Sequence, residues 1–433
     1  MEKGKTLSAS ALTSLFIAVL FSVYLLAVGK GGYTSITSFK YGLFLAICGA
    51  YAFGLTALFC RRRTRPKVGR GVAAVLALMG LFLLFTAVSA CLSPYFPQTL
   101  LGFHRREGLL TVACYGLCFF GAALFGCPSR RLLAVFAVSV VLFCLVCFSQ
   151  LLGGNPFHFY PEGLTYYDGN DAYRYEFIGT AGNAGLTGAV LSAAGPLLTA
   201  ALLRGQGKSR FLLLIPVVMV WAVTFKIRVA AAVAAVFGGT LLLLPSVILR
   251  DPAHRRRFAL VLLLVVLLAI AGIYCFDIGG GTLHELHALS RGEWDDGFGT
   301  GRLFIWRSVA ALVPERPLFG GGCDTLGQRM TAEFRRYDAA KDVTYTAAID
   351  AAHNEYLNIL VSEGLLAFSA YAAALVLSLA LIVRHRQNNA AVIWGSGAFG
   401  YGVQAFFGLR VCIAAPFLFL CWGLALAALR EET

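Results

Sequence analysis

The feature that most limits this chain is a succession of apolar runs, most of them about 18–25 residues long, the length a helix needs to cross a hydrocarbon core of about 30 Å. Inside lipid no water reaches the backbone N–H and C=O groups, so runs of this length form helices, which satisfy those groups internally. About twelve of them follow one another, at 11–28, 39–59, 71–91, 108–126, 132–152, 179–203, 211–225, 229–249, 258–276, 365–383, 390–409 and 411–429. Hydrophobic residues make up 58% of the 433 and charged residues 13%, far from the roughly 45–50% and about 25% of soluble domains. The predicted fold class is therefore an all-α polytopic membrane protein. The first run follows Lys3 and Lys5 but no small-residue cleavage site comes after it, so it reads as a span and not as a signal peptide.

A net charge of +14 suggests nucleic acid until the positions are read. The cations sit in short loops on alternate sides: Arg61, Arg62, Arg63, Arg65, Lys67 and Arg70; Arg130 and Arg131; Arg204, Lys208 and Arg210; Arg250 with Arg255, Arg256 and Arg257; Arg384 and Arg386. The positive-inside rule places these loops, and both termini, in the cytoplasm. Nearly all acidic residues then fall outside, which the rule does not require. Of the twelve cysteines most lie within spans, and the pairs Cys114/Cys118 and Cys144/Cys147 read as small apolar filler. Cys323, the one clearly in an outer loop, has no partner there for a disulfide.

Three outer segments are more than connectors. Residues 93–107 end in His104-Arg105-Arg106-Glu107, and 153–177 form an irregular stretch rich in Tyr, Gly, Asn and Asp. The third, 277–364, lies between the ninth and tenth runs and is too long for a simple loop. The organisation expected is one membrane domain, 1–433, with 277–364 as an extracytoplasmic helical insertion. Within it, Thr300 is expected to cap a helix over 301–313, stopped by Pro314 and Pro317. A second helix is expected from Asp350, as cap, through His353 to Val361, broken at Gly364 and lying at the membrane surface.

Candidate chemistry gathers on this outer side. Arg228 sits in the short turn Lys226-Ile227-Arg228, where adjacent cations are disfavoured; it either snorkels to the interface or meets an anion. Arg302, in the first turn of its helix, either joins free helix-end amides in an anion site or packs on Trp306 or pairs with Glu293 or Asp295. His353, placed in the first turn of the second helix, is held neutral by the dipole and suits a general base, or is an ordinary hydrogen-bonded surface residue. His104 to Glu107 contact either lipid headgroups or substrate, and Asn183 in Gly179-Thr180-Ala181-Gly182-Asn183 starts a span that it caps. Neither zinc-ligand spacing nor an acidic pair within a span is present in the sequence, so no metal or cofactor is expected. Arginines near helix starts on one face suit a lipid-linked diphosphate.

These residues resemble the O-antigen ligase and polymerase superfamily of bacterial membrane glycosyltransferases. Gly301-Arg302-Leu303-Phe304-Ile305-Trp306 through Pro317-Leu318-Phe319-Gly320-Gly321-Gly322 is similar to that family's Arg…Trp…Pro-Leu-Phe-Gly pattern. Ala352-His353-Asn354-Glu355-Tyr356-Leu357 through Glu363-Gly364 is similar to its His-Asn…Leu…Glu-Gly helix, the most specific match. Arg228 resembles its Ser-Arg element, with Ile227 in place of Ser, and Gly179 to Asn183 its Gly…Asn element, with Asn183-Ala184-Gly185 in place of Asn-Pro-Asn.

The resemblance implies a GT-C-like architecture in the bacterial cytoplasmic (inner) membrane and a glycan donor on undecaprenyl diphosphate. The glycan passes, outside the cytoplasm and without metal, to a glycan, glycolipid or protein acceptor with inversion. It implies Arg228 and Arg302 on the diphosphate, His353 as base, Arg105 assisting with phosphate or acceptor, and Asn183 in substrate binding. The competing readings are a protein O-oligosaccharyltransferase, a cell-wall polymerase of the elongation and division family, which the His-Asn-Glu-Tyr-Leu stretch fits poorly, and a glycolipid transporter or flippase. Transporters commonly show repeats and mid-membrane charges that this sequence lacks.

Overall fold

A computed structural model of the chain describes residues 8–61, 66–103, 105–167, 174–243, 245, 249, 251–277, 279, 281–338 and 343–432. His104, Arg250, the cations within 62–65 and part of the run expected at 229–249 lie outside the described residues. Among the described residues the chain is mostly helical. Seven helices are long and apolar enough to cross a membrane by length and composition. They are α2 (Ile36–Arg61), α3 (Arg70–Leu92), α5 (Arg130–Leu151), α6 (Ala184–Arg204), Lys208–Ile227, whose α-helical part is α7 (Leu214–Ile227), α9 (Pro252–Cys275) and α12 (Glu355–Arg384). Four more are apolar but shorter: α1 (Ala9–Tyr24), α4 (Leu109–Phe125), α8 (Ala230–Leu241) and α14 (Ala415–Leu429). With α13 (Asn389–Ala405) these follow the expected order of runs, but only part of them meet the length and composition of a span.

The bundle is built around α6, the most buried of the long helices. Its neighbours are α7 and α13; α13 also packs on α14, α14 on α4, and α3 on α12. Pro196 inside α6 has no N–H to donate to the carbonyl of Ser192. Gly400 of α13 lies against that carbonyl, where a Cβ would come within 2.2 Å of the Ser192 oxygen and 2.7 Å of Pro196. A larger residue there would push the two helices apart. In contrast, α9 buries no residue and, from Phe258 on, is apolar on all sides, as a helix facing lipid should be.

The segment joining α9 to α12 folds as α10 (Gly281–Ser290), α11 (Arg302–Ala310) and an antiparallel hairpin of β1 (Glu333–Asp338) and β2 (Val343–Ala348), with Glu333 opposite Ala348 and Asp338 opposite Val343. The hairpin departs from the all-α expectation; Val343, Thr344, Tyr345 and Thr346 supply the β-branched and aromatic residues that favour a strand. Val309, Leu326, Ile349 and Ala352 form a small core of their own with Val361 of α12.

Two expected helix starts move. Thr300 does not cap α11: its hydroxyl donates to the Gly299 carbonyl, and Gly301, at φ +83°, occupies the cap position without a side-chain bond. Asp350 does not cap α12 either. That helix begins at Glu355, with Asn354 accepting from the Leu357 N–H at 3.0 Å. His353 therefore precedes the helix, at φ +48°.

Gly364 does break the helix, at φ +88°, though α12 continues beyond it. The Pro317–Gly322 stretch answers the break: Gly321 N–H donates to the Val361 carbonyl, Gly322 N–H to that of Ser362, and Leu365 N–H to that of Pro317, at 2.8–3.1 Å. A side chain at Gly364 would meet the Leu318 carbonyl at 2.3 Å, so both the conformation and the space require glycine.

Candidate active site

The loop before α4 is tied to the insertion by one carboxylate. Asp324 Oδ2 accepts the backbone N–H groups of Phe103 (2.6 Å), Arg105 (3.1 Å) and Glu107 (3.4 Å). Turned by this anchor, the Arg105 guanidinium meets Asp350 as a two-pronged pair, Nε to Oδ2 at 2.8 Å and Nη2 to Oδ1 at 2.9 Å. Such a fork fixes orientation as well as charge. Asp350 is spent on this pair, which is why it is unavailable as a helix cap. Arg106 turns away, over the ring of Tyr41 at 5.8 Å, and Glu107 points into the protein.

His353 sits among these charges. Its imidazole is pushed down from the ordinary 6.5 to about 4, first by burial, then by the positive charges of Arg105 and Arg302; Asp350 opposes them. The ring is thus neutral at pH 7, as expected, although the cause is burial and two guanidinium groups, not a position inside the helix. Arg105, Arg302 and His353 form one electrostatic unit, brought together from the α3–α4 loop, the start of α11 and the residues before α12.

Arg302 lies in the first turn of α11. One of its terminal nitrogens, Nη1, donates to the Gly299 carbonyl and to the Thr300 hydroxyl, both at 2.8 Å. Its Nε is buried with no hydrogen-bond partner, and burial lowers its pKa from the usual value. Neither alternative considered for it is realised among the described residues: Trp306 packs on Phe406 and Phe407, and Arg302 makes no ion pair with Glu293 or Asp295.

The other candidates stand apart from this unit. Arg228 is exposed and is the left-handed C-cap of α7, at φ +53°, two residues before α8 begins. A cation there is favoured by the helix dipole. Asn183 caps α6: its side-chain oxygen accepts from Gly185 N–H at 2.7 Å and its Nδ2 donates to Glu176 at 3.3 Å.

Sequence reasoning missed Arg410. It is buried between α13 and α14, bonded to Glu363 and 3.5 Å from Glu107. Thr86 donates to Glu363 and Tyr115 to Glu107, so the pair of carboxylates ties α3 and α4 to α12. The signal was present: Arg410 is a lone cation in the break between two apolar runs, the same anomaly that drew attention to Arg228. A small cavity lined by Arg105, Glu107, Asp324, Asp350, Asn358 and Arg410 separates this ionic knot from the His353 unit.

No curated protein matches the chain. Residues 177–372 match the family model described as O-Antigen ligase. The match takes in Asn183, Arg228, Arg302 and His353 and leaves Arg105 and Arg410 outside it. With its apolar helices and this matched stretch, the chain is a multi-pass membrane protein whose residues 177–372 are similar to the O-antigen ligase family.

Proposed function

We propose that this protein transfers a glycan from an undecaprenyl-diphosphate carrier to an acceptor hydroxyl at the outer face of the bacterial cytoplasmic membrane. The observation that carries the reading is a neutral imidazole coupled to Arg302, a guanidinium bonded, among the described residues, to uncharged oxygens. Such an arginine, at the start of a helix and half withdrawn from water, is matched to a phosphate oxygen.

In this reaction the acceptor oxygen attacks the anomeric carbon as His353 takes the hydroxyl proton. The bond from that carbon to the diphosphate oxygen breaks, its electron pair leaves with the diphosphate, and the configuration inverts. Arg302 neutralises the charge that grows on the leaving oxygen, an effect strongest where water is excluded. Arg228, which stands apart from this unit, would meet the far phosphate or the lipid side of the carrier, and Arg105 orients His353 while held by Asp350. The reaction rests on these side chains without a metal.

The test is purified protein with undecaprenyl-diphosphate glycan, with and without glycan, glycolipid and protein acceptors, and products sized by mass spectrometry. His353→Ala should lower transfer by about 10²–10⁴-fold, the usual contribution of a general base, with membrane insertion unchanged. Product from that variant at the wild-type rate removes His353 from the mechanism; glycolipid moved across a bilayer with no bond formed would replace transfer by transport.

A further inference from the structure

The turn that holds Arg302 is itself held from another helix. Gly299, Thr300 and Gly301 are three successive left-handed residues, at φ +63°, +59° and +83°. A run of this kind persists only where its surroundings fix it. Most of the hydrogen bonds here are local: Asp295 takes the N–H of Gly297 through its side chain and that of Phe298 through its carbonyl, and Gly297 takes that of Gly301. From outside residues 295–307 the turn receives, among the described residues, one hydrogen bond: Glu285 of α10 accepts the Gly299 N–H at 3.1 Å. The carbonyl of that same Gly299 accepts Arg302 Nη1 at 2.8 Å and the Thr300 hydroxyl at 2.6 Å.

The support behind Glu285 is firm. On α10, His287 donates to the Ile273 carbonyl at 2.7 Å, and His284 pairs with Asp277 at 2.8 Å. Just after α10, Arg291 donates to the Tyr274 carbonyl at 3.1 Å and lies over the Tyr274 ring. These side chains pin α10 to the last turn of α9 and the residues beyond it, so Glu285 reaches the turn from a fixed base. The carboxylate does not act on the guanidinium directly: among the described residues Glu285 forms no ion pair with Arg302, and burial is what shifts that arginine.

We propose that Glu285 is a positioning residue, which through Gly299 sets the direction in which Arg302 is presented to the diphosphate. The inference rests on the functional reading above and adds to it a second helix, α10, on which the aim of the arginine depends. A carboxylate this close to an anion site would by charge alone weaken the binding of phosphate, so removing it should tighten binding. Positioning has the opposite sign, which makes the two separable.

The experiment is calorimetric titration of the purified full chain with inorganic pyrophosphate as the probe of the diphosphate site, with the melting temperature of each variant read alongside. Arg302→Ala should weaken binding by about tenfold or more, the worth of one hydrogen bond to a charged group. Glu285→Ala should weaken it by about five- to tenfold at unchanged melting temperature, because the guanidinium points correctly for a smaller fraction of the time and apparent affinity falls with that fraction. Glu285→Gln, whose amide oxygen still accepts the Gly299 N–H, should bind within about twofold of wild type. In the Arg302→Ala background Glu285→Ala should weaken binding no further, as for two side chains acting through one contact. Equal or tighter binding in Glu285→Ala, a Gln variant as weak as the Ala variant, a melting temperature that falls with the affinity, or the same loss in the Arg302→Ala background would each overturn the positioning role and leave the diphosphate site standing. Wild-type binding in Arg302→Ala would remove the site itself, and the functional reading with it.

Discussion

Arg410 and Arg302 are both withdrawn from water at the same end of the protein, and the chain provides for them in opposite ways. Arg410, 4% exposed, is answered by two carboxylates, Glu363 and Glu107, which are themselves buried. Arg302 is answered by a carbonyl and a hydroxyl, with one nitrogen left over. A guanidinium already neutralised has little to gain from a phosphate, so Arg410 belongs to the framework. One that is oriented by neutral oxygens keeps its charge for a ligand. Arg105 is intermediate: its fork to Asp350 is complete, yet its charge still reaches His353.

The sharpest way to break this contrast is to remove each arginine and ask whether folding or transfer suffers. Arg410→Ala leaves two carboxylates buried without their cation, and losing one side of a buried pair costs about 3–5 kcal/mol. We expect a large fall in thermal stability, followed by loss of monodisperse protein on size exclusion. Arg302→Ala should leave melting within about a degree or two of wild type, because it removes no charge pair among the described residues, but should lower transfer by about 10²–10³-fold, typical of one lost donor to a developing anion. Arg302→Lys should restore little, since an ammonium cannot reproduce the fork. If Arg302→Ala melts as badly as Arg410→Ala while transfer per folded molecule is intact, the contrast is wrong.

The contrast also marks where the sequence was readable. Helices were legible because apolar length is a local property, and the break at Gly364 because glycine and its neighbours announce it. The helix start next to His353 was misread by four residues, Asp350 for Asn354, for a reason of distance. Asp350 and Asn354 are both good caps, and what decides between them is Arg105, 245 residues away in the chain. Arg302 was legible as a cation at a helix start because its type and position are local, whereas the hold on it by Gly299 and Thr300 depends on a left-handed turn at Thr300 and Gly301. The hairpin escaped because a polar insertion between spans was read by helical periodicity alone. Asp324 and Arg410 act on partners far along the chain, and only Arg410 left a trace in the hydropathy pattern.

A smaller effect probes the coupling itself. With His353 held down to about 4, transfer per enzyme should stay flat on the acid side until pH nears 4, with no limb at the ordinary 6.5. In Arg105→Gln a positive neighbour disappears and Asp350 is left without its partner; both changes favour the charged imidazole. The acid limb of kcat/KM should move up by about one pH unit, about 1.4 kcal/mol of lost preference for the neutral ring. Stability follows the same sign: the unfolded histidine binds its proton near 6.5 and the folded one near 4, so folding weakens as pH falls from 6.5 toward 4. A limb that stays put in Arg105→Gln would mean that burial and Arg302 set the imidazole, and that Arg105 and His353 do not work as a unit.

The smallest effect separates a cap from a ligand. Asn183 was expected in substrate binding, yet both ends of its side chain are engaged, one by Gly185 and the other by Glu176. Asn183→Ala should cost about 1 kcal/mol of stability, the usual loss for an N-cap. Asn183→Ser, which keeps a capping oxygen, should recover most of it, with KM for the lipid-linked donor unchanged in both. A rise in KM in Asn183→Ser at wild-type stability would carry the substrate site as far as the start of α6, and the boundary between framework and ligand-ready groups would have to be redrawn to include a side chain whose hydrogen bonds are already made.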